Sequence, residues 1–291
     1  MDTQQLAEQN RIFYTRAGSR AYGLATATSD EDFRGVFIGL PANLIGLYPV
    51  EHCELSGDNM LFELRKFISL AKDCNPNIIE LLFMDESDIL LQTEWWQRIK
   101  AQRELFLTRK AKFTFSGYAM AQLKKIRGHN RWLHDPQPVE PPEPAKYLKV
   151  KPIEGLGHRE VFDQTAYEMA LKGWRQYWEW KNNRNEKRAV LEAEHGFDTK
   201  HAMHLIRLLR MGVEIMRGEG VQVKRQDRNE LLAIRNGVMT YEELVALAEE
   251  YERQLENLYE TSDLPHGSDV DKINRLMVDI YHDYWDAHGL W

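Results

Sequence analysis

The chain has 291 residues, 43% of them hydrophobic and 11% aromatic, enough to bury a large core in one large domain or two smaller ones. A formal charge of −7 argues against indiscriminate coating of nucleic acid, while leaving room for a local basic groove. No run of about 18 apolar residues is present, and the start MDTQQLAEQN lacks the basic and apolar regions of a signal peptide, so the expected compartment is the cytosol.

Strand signals are confined to the first third. Residues 11–15 are apolar and β-favouring, Gly18-Ser19 breaks the run, and residues 32–38 read as the next strand. A weaker pair of strands is expected around 52–55 and 59–62, with helices over 63–73 and 93–103. Cys53 and Cys74 are the only cysteines, too few for a zinc set, and read as buried small residues. Residues 113–126 have helical spacing, and the proline-rich stretch 135–144 reads as an exposed loop. Long helices are expected beyond it, over 165–182, 198–217, 241–260 and 268–285. The third of these opens on the capping box Thr240-x-x-Glu243, the last on Ser268-x-x-Asp271.

Asp30 and Asp32 carry the first chemical signal. On one strand their i, i+2 spacing would turn both carboxylates to the same face, where hard oxygen ligands can share Mg²⁺. Gly18 lets backbone approach a ligand closely, and Ser19 with the following N–H groups can hold a triphosphate. Arg34, one strand step beyond Asp32, could hold phosphate or pair with an acid; Arg65 and Lys66 could do the former or be a solvated helix face.

Gly18-Ser-Arg-Ala-Tyr-Gly23 followed by Ser29-Asp-Glu-Asp-Phe-Arg-Gly35 resembles the signature of predicted nucleotidyltransferases in the DNA polymerase β superfamily. The closer resemblance is to a bacterial and phage group linked with RNA ligases and RNA repair. It extends through Glu63-Leu-Arg-Lys-Phe67, Asn75-Pro-Asn-Ile-Ile-Glu80, Phe115-Ser-Gly-Tyr-Ala119 and Asp198-Thr-Lys-His-Ala-Met-His-Leu-Ile-Arg207, and so covers most of the chain. One departure is Glu31, where the superfamily usually places an apolar residue between the two acids. The resemblance implies a catalytic metal site on Asp30 and Asp32 that binds Mg²⁺ or Mn²⁺, with an NTP as substrate. It also implies a third carboxylate from a neighbouring strand: Asp58 is the first choice, Glu63 the alternative, with Glu54 behind it.

In the helical half, Lys200, His204 and Arg207 share a stripe opposite Ala202, Leu205, Ile206 and Leu209, either as a nucleotide-facing surface or as the solvated side of an amphipathic helix. His201 and His204 lack a third ligand at zinc spacing. Lys124, Lys125, Arg127, Arg131 and Trp132 interleave cations with a ring, a pattern that suits single-stranded RNA or a basic helix end alike. The aromatics between 167 and 180 read as packing rather than a base platform.

The expectation is therefore an α+β protein: a polymerase-β-like nucleotidyltransferase domain over 1–110, then a mostly helical domain over 111–291 containing the proline loop. It would transfer NMP from NTP to an acceptor hydroxyl, that of an RNA (tRNA) 3′ end by resemblance, with RNA ligase or repair proteins as partners. Two rivals are modification of a protein or small molecule, and a non-catalytic nucleotide-binding or scaffold protein.

Overall fold

The computed structural model describes residues 2–27, 29–153, 157–184 and 186–290. The apolar run after helix α1 (Thr3–Gln9) becomes strand β1 (Arg11–Ala17), which pairs antiparallel with β2 (Asp32–Phe37) after the short helix α2 (Gly18–Ala21). Helix α3 (Pro41–Ile45) leads to β3 (His52–Glu54) and β4 (Met60–Glu63), and β4 lies parallel to β2. A fifth strand, β5 (Ile89–Gln92), pairs antiparallel with β1 and completes a mixed sheet of order β3-β4-β2-β1-β5.

Between β4 and β5 come α4 (Leu64–Lys72) and α5 (Pro76–Ile79); α6 (Glu94–Lys100) and the 25-residue α7 (Lys110–His134) follow. Apolar side chains explain how these helices meet the sheet. Phe13 of β1 stacks on Trp96 of α6 at 3.9 Å, and Phe67 of α4 meets the same indole edge-on. Both cysteines are buried, as expected.

After the proline loop, α8 (Gln164–Asn182), α9 (Glu186–His195), α10 (Thr199–Met216), α11 (Arg228–Arg235), α12 (Tyr241–Thr261) and α13 (Val270–Ala287) give the helical C-terminal half of an α+β fold. The Thr240–Glu243 capping box is formed, while α13 is capped one residue later than expected, by Asp269. The second half is not wholly helical. Residues between the proline loop and α8 form a hairpin of β6 (Leu148–Ile153) and β7 (Gly157–Phe162), a two-stranded ribbon that exposes Leu148, Val150 and Phe162. Among the described residues no helix is long and apolar enough to cross a membrane.

The chain forms two compact units. One combines residues 1–122 with 202–291; the other is residues 123–201. Polar contacts explain why the last helices join the sheet. Tyr281 donates to Glu63 at 2.6 Å, Trp285 donates its indole N–H to the Gly39 carbonyl at 2.9 Å, and Tyr284 donates to Asn10 at 2.8 Å. Arg109 adds three bonds, to the carbonyls of Tyr259, Ser262 and Leu264. In the second unit, Trp132, Tyr177 and Trp180 form an aromatic cluster with His129, and Trp174 and Trp178 both donate to the Pro138 carbonyl, pinning the proline loop to α8. Those aromatics are packing, as their spacing indicated.

Candidate functional site

Strand register brings the chemistry to one end of the sheet. Ala17 pairs with Asp32, so β1 ends where β2 begins, and α2 starts directly beside the Asp32 carboxylate. Gly18 adopts φ +61°, a conformation that side chains resist. A Cβ at this position would overlap Asp32 Oδ2 and lie 3.1 Å from Asp32 Cγ. The glycine is therefore required twice, for its dihedral and for the space its missing side chain leaves to the acid. Tyr22 N–H closes the turn on the Gly18 carbonyl and Leu24 N–H closes on Ser19, while N–H groups of a first helical turn have no intrahelical acceptor and are available to an anion.

Asp30 does not share the strand. β2 begins at Asp32, so Asp30 stands in the irregular approach to the strand, exposed. The same boundary accounts for Glu31. It precedes the strand, stays exposed and pairs with Arg20 at 3.3 Å, so its charge is never buried in the sheet.

Parallel pairing of β2 and β4 separates the two leading candidates for a third carboxylate. Arg34 lies opposite Met60, which puts Asp58 level with Asp32, and Arg34 donates to the Asp58 carbonyl and to Phe33 O. Glu63 instead lies opposite Phe37, five residues and roughly 17 Å along the strand from Asp32. Its carboxylate is already engaged, accepting from Gly39 N–H, Tyr281 O–H and Arg65 N–H, and it caps α4. Burial raises the Glu63 pKa despite those bonds. Glu63 is thus a structural cap, and its remote position carries Arg65 and Lys66 away from Gly18 with it. Lys66 pairs with Glu51, and Arg65 reaches the Leu44 carbonyl. Glu54 pairs with Met60 on the edge strand and is exposed.

Among the described residues no three His, Cys, Asp or Glu side chains converge into a ready-made metal cage. Mg²⁺ does not require such a cage, since it is commonly held by one or two carboxylates together with substrate phosphates.

The sequence model of the RNA repair pathway DNA polymerase beta family, RlaP, matches residues 2–279. The chain belongs to this family. Among solved structures it is similar to a nucleotidyltransferase-like protein from Exiguobacterium sibiricum 255-15, with 12% identity over 89% of this chain and 72% of the other at a TM-score of 0.27, a likeness too loose to carry an argument. No curated protein matches the chain.

Two further cations of this RlaP-family chain bond to the segment that follows the Gly18 turn, and a third bonds to the approach to β5. Arg228 donates to the Gly23 carbonyl at 2.9 Å, Arg235 to the Leu24 carbonyl at 3.3 Å, and Lys224 reaches Ser87 at 2.8 Å just before β5. The basic run Lys224-Arg225-x-x-Arg228 is the sequence signal for Lys224 and Arg228, and it lacks any recognisable spacing; Arg235 lies outside it.

Arg207 is the clearest correction. It is 4% exposed, and its guanidinium donates to Glu80 Oε1 at 2.6 Å while lying 3.7 Å over the Tyr22 ring. The guanidinium is thus buried against Glu80 and Tyr22 and not on the open helix face expected for it. His204, half-buried, lies in the first unit, whereas Lys200 of the same helix is counted with the second. In that second unit Lys124, Lys125, Arg127 and Arg131 are exposed along α7, and Trp132 is half-buried in the aromatic cluster. Arg131 and Trp132 also line an open cavity of about 530 Å³ with Tyr147, Lys146 and Gly173. Gly173 sits inside α8, and a Cβ added there would meet nothing within 4 Å.

Proposed function

We propose that the chain transfers a nucleoside monophosphate from an NTP to the 3′ hydroxyl of an RNA, tRNA ends included, with release of pyrophosphate. The observation that carries the reading is the packing of positive-φ Gly18 against Asp32, in a chain of the RNA repair pathway DNA polymerase beta family. The turn at Gly18–Ala21 receives the phosphates on its first-turn N–H groups. Asp32 and Asp30 hold Mg²⁺ or Mn²⁺, and Asp58, level with Asp32 on the next strand's approach, is the third carboxylate. Bound there, such ions neutralise phosphate charge and lower the pKa of the attacking hydroxyl.

The chain's own residues supply position and field. Arg34 is anchored on the Phe33 and Asp58 carbonyls, holding the two acidic segments side by side. Arg228 and Arg235 place positive charge on the segment that follows the turn, where negative charge develops on the leaving pyrophosphate. The exposed cations Lys124, Lys125, Arg127 and Arg131 track the acceptor's phosphates, and the cavity beside Trp132 and Tyr147 takes an unstacked base.

The test is incubation with each labelled NTP, Mg²⁺ or Mn²⁺, and total RNA or protein extract. Label in RNA, lost in Asp32→Asn, is the expected result. Label only in protein or a small molecule would move the acceptor away from RNA; no label from any NTP would leave a nucleotide-binding scaffold.

A further inference from the structure

Glu80, Arg207 and Tyr22 come from three distant parts of the sequence and meet in the core of the first unit. Tyr22 O–H donates to Glu80 Oε2 at 2.5 Å, Glu80 Oε1 accepts from Arg207 at 2.6 Å, and the guanidinium closes the triangle by lying 3.7 Å over the phenol ring. All three are buried: Glu80 and Arg207 are 4% exposed and Tyr22 8%. Burial pushes the Tyr22 pKa up, so the hydroxyl remains a donor throughout the physiological range. Burial also works against the Arg207 cation, but the Tyr22 and Glu80 partners hold its pKa above the usual arginine value.

Such a network is costly. Taking both charges out of water carries a desolvation penalty of several kcal/mol per ion, and well-packed apolar replacements of buried pairs are often neutral or stabilising. Arg207 carries a further cost, because its buried Nε–H has no hydrogen-bond partner among the described residues. Net stability is therefore a weak reason for the arrangement. Connectivity is a stronger one. Tyr22 is the residue on which α2 ends: its N–H bonds back to the Gly18 carbonyl at 3.2 Å, and its own carbonyl accepts from Arg225 N–H at 3.1 Å. Arg225 is fixed in turn by both oxygens of Glu214, at 2.7 Å each, and by Asp227. The turn is thus gripped through its last residue, by side chain from one side and backbone from the other.

We propose that Arg207 and Glu80 are positioning residues, which act through Tyr22 to hold the Gly18–Tyr22 turn in the conformation that accepts the NTP phosphates. The assignment rests on the nucleotidyltransferase reading of that turn. It moves Arg207 from the nucleotide to the support behind it and gives Glu80 a role.

The test uses the full chain in four forms: wild type, Tyr22→Phe, Arg207→Lys and the apolar double variant Glu80→Leu/Arg207→Met. Three measurements are made on each: the urea midpoint, hydrogen exchange at residues 18–24, and the affinity for a fluorescent ATP analogue with Mg²⁺. The double variant should keep its urea midpoint, exchange at least tenfold faster at 18–24 alone, and bind the analogue at least tenfold more weakly. Tyr22→Phe, which removes one oxygen and keeps the stacked ring, should show the same pattern at smaller amplitude, and Arg207→Lys should recover most of the affinity lost in the double variant. Faster exchange spread over the whole unit together with a lower midpoint would mark the network as purely structural and overturn the proposal. If the wild type binds no nucleotide, the functional reading falls. Exchange at 18–24 then decides the brace alone, and an unchanged rate there overturns it.

Discussion

Replacing Gly18 by alanine separates the two demands the structure makes on this residue. An alanine held at φ +61° carries backbone strain of ~1–2 kcal/mol. Its Cβ would also overlap Asp32 Oδ2, and driving that carboxylate off its rotamer adds ~0.5–1.5 kcal/mol. The combined cost of ~1.5–3.5 kcal/mol corresponds to a fall in Tm of roughly 3–14 °C for a chain of this size. The second contribution depends on Asp32, so it should vanish in an Asp32→Ala background, where only the strain remains. Thermal and urea unfolding of wild type, both single variants and the double variant measure that coupling directly, with ~0.5–1.5 kcal/mol expected. An identical cost for Gly18→Ala in both backgrounds, within about 0.3 kcal/mol, would refute the contact as the reason for glycine.

Glu63→Gln should leave nucleotidyl transfer intact while Asp58→Asn abolishes it, measured as steady-state transfer; the reverse order would return Glu63 to the site. Because burial raises the folded pKa of Glu63 above its ordinary 4.5, the native state binds the proton more tightly than the unfolded chain does. Its contribution is full below about pH 4.5 and is lost as pH rises through the folded pKa, so urea midpoints for Glu63→Gln should depend less on pH above 4.5 than those of wild type. Neutralising Lys124, Lys125, Arg127 and Arg131 should flatten the salt dependence of RNA binding by about 0.7 in log–log slope per lost contact, read from titrations with labelled single strands; equal slopes would remove this surface from the RNA interface. Gly173→Leu should fill the cavity beside Trp132, weaken RNA binding several-fold, and keep or slightly raise Tm, since leucine favours a helix interior by about 0.5–1 kcal/mol over glycine.

The first two strands, the break at Gly18, the long helices and the box at Thr240 were legible because each is written in local periodicity or in the chemistry of a cap. What escaped depended on partners far away in sequence. Arg207 reads as polar on any helical wheel, and only Glu80, 127 residues earlier, makes its burial possible. Asp58 and Glu63 are indistinguishable until the pairing of Arg34 with Met60 sets which lies beside Asp32. β5 is four residues long at a sheet edge with Leu90 and Leu91 exposed, and the β6–β7 ribbon buries no clear face, so neither shows the alternation that burial imposes on a strand. The close packing of Gly18 on Asp32 in the candidate site was legible, because a glycine break before an acid marks a place where backbone must come close. Arg228 and Arg235 were not, since each is positioned by a backbone carbonyl that no motif announces.

The bond from Tyr281 to Glu63 spans 218 residues. A ribosome adding roughly 5–20 residues per second takes about 11–44 s to cover that interval, far longer than hydrophobic collapse requires. Throughout it the sheet lacks the helix that shields its Glu63 end, so the newly made N-terminal third emerges with sticky surface and must be kept from neighbouring chains until α13 arrives. Success in making this protein therefore turns on the pace of synthesis and on holdase capacity as much as on the stability of the finished fold.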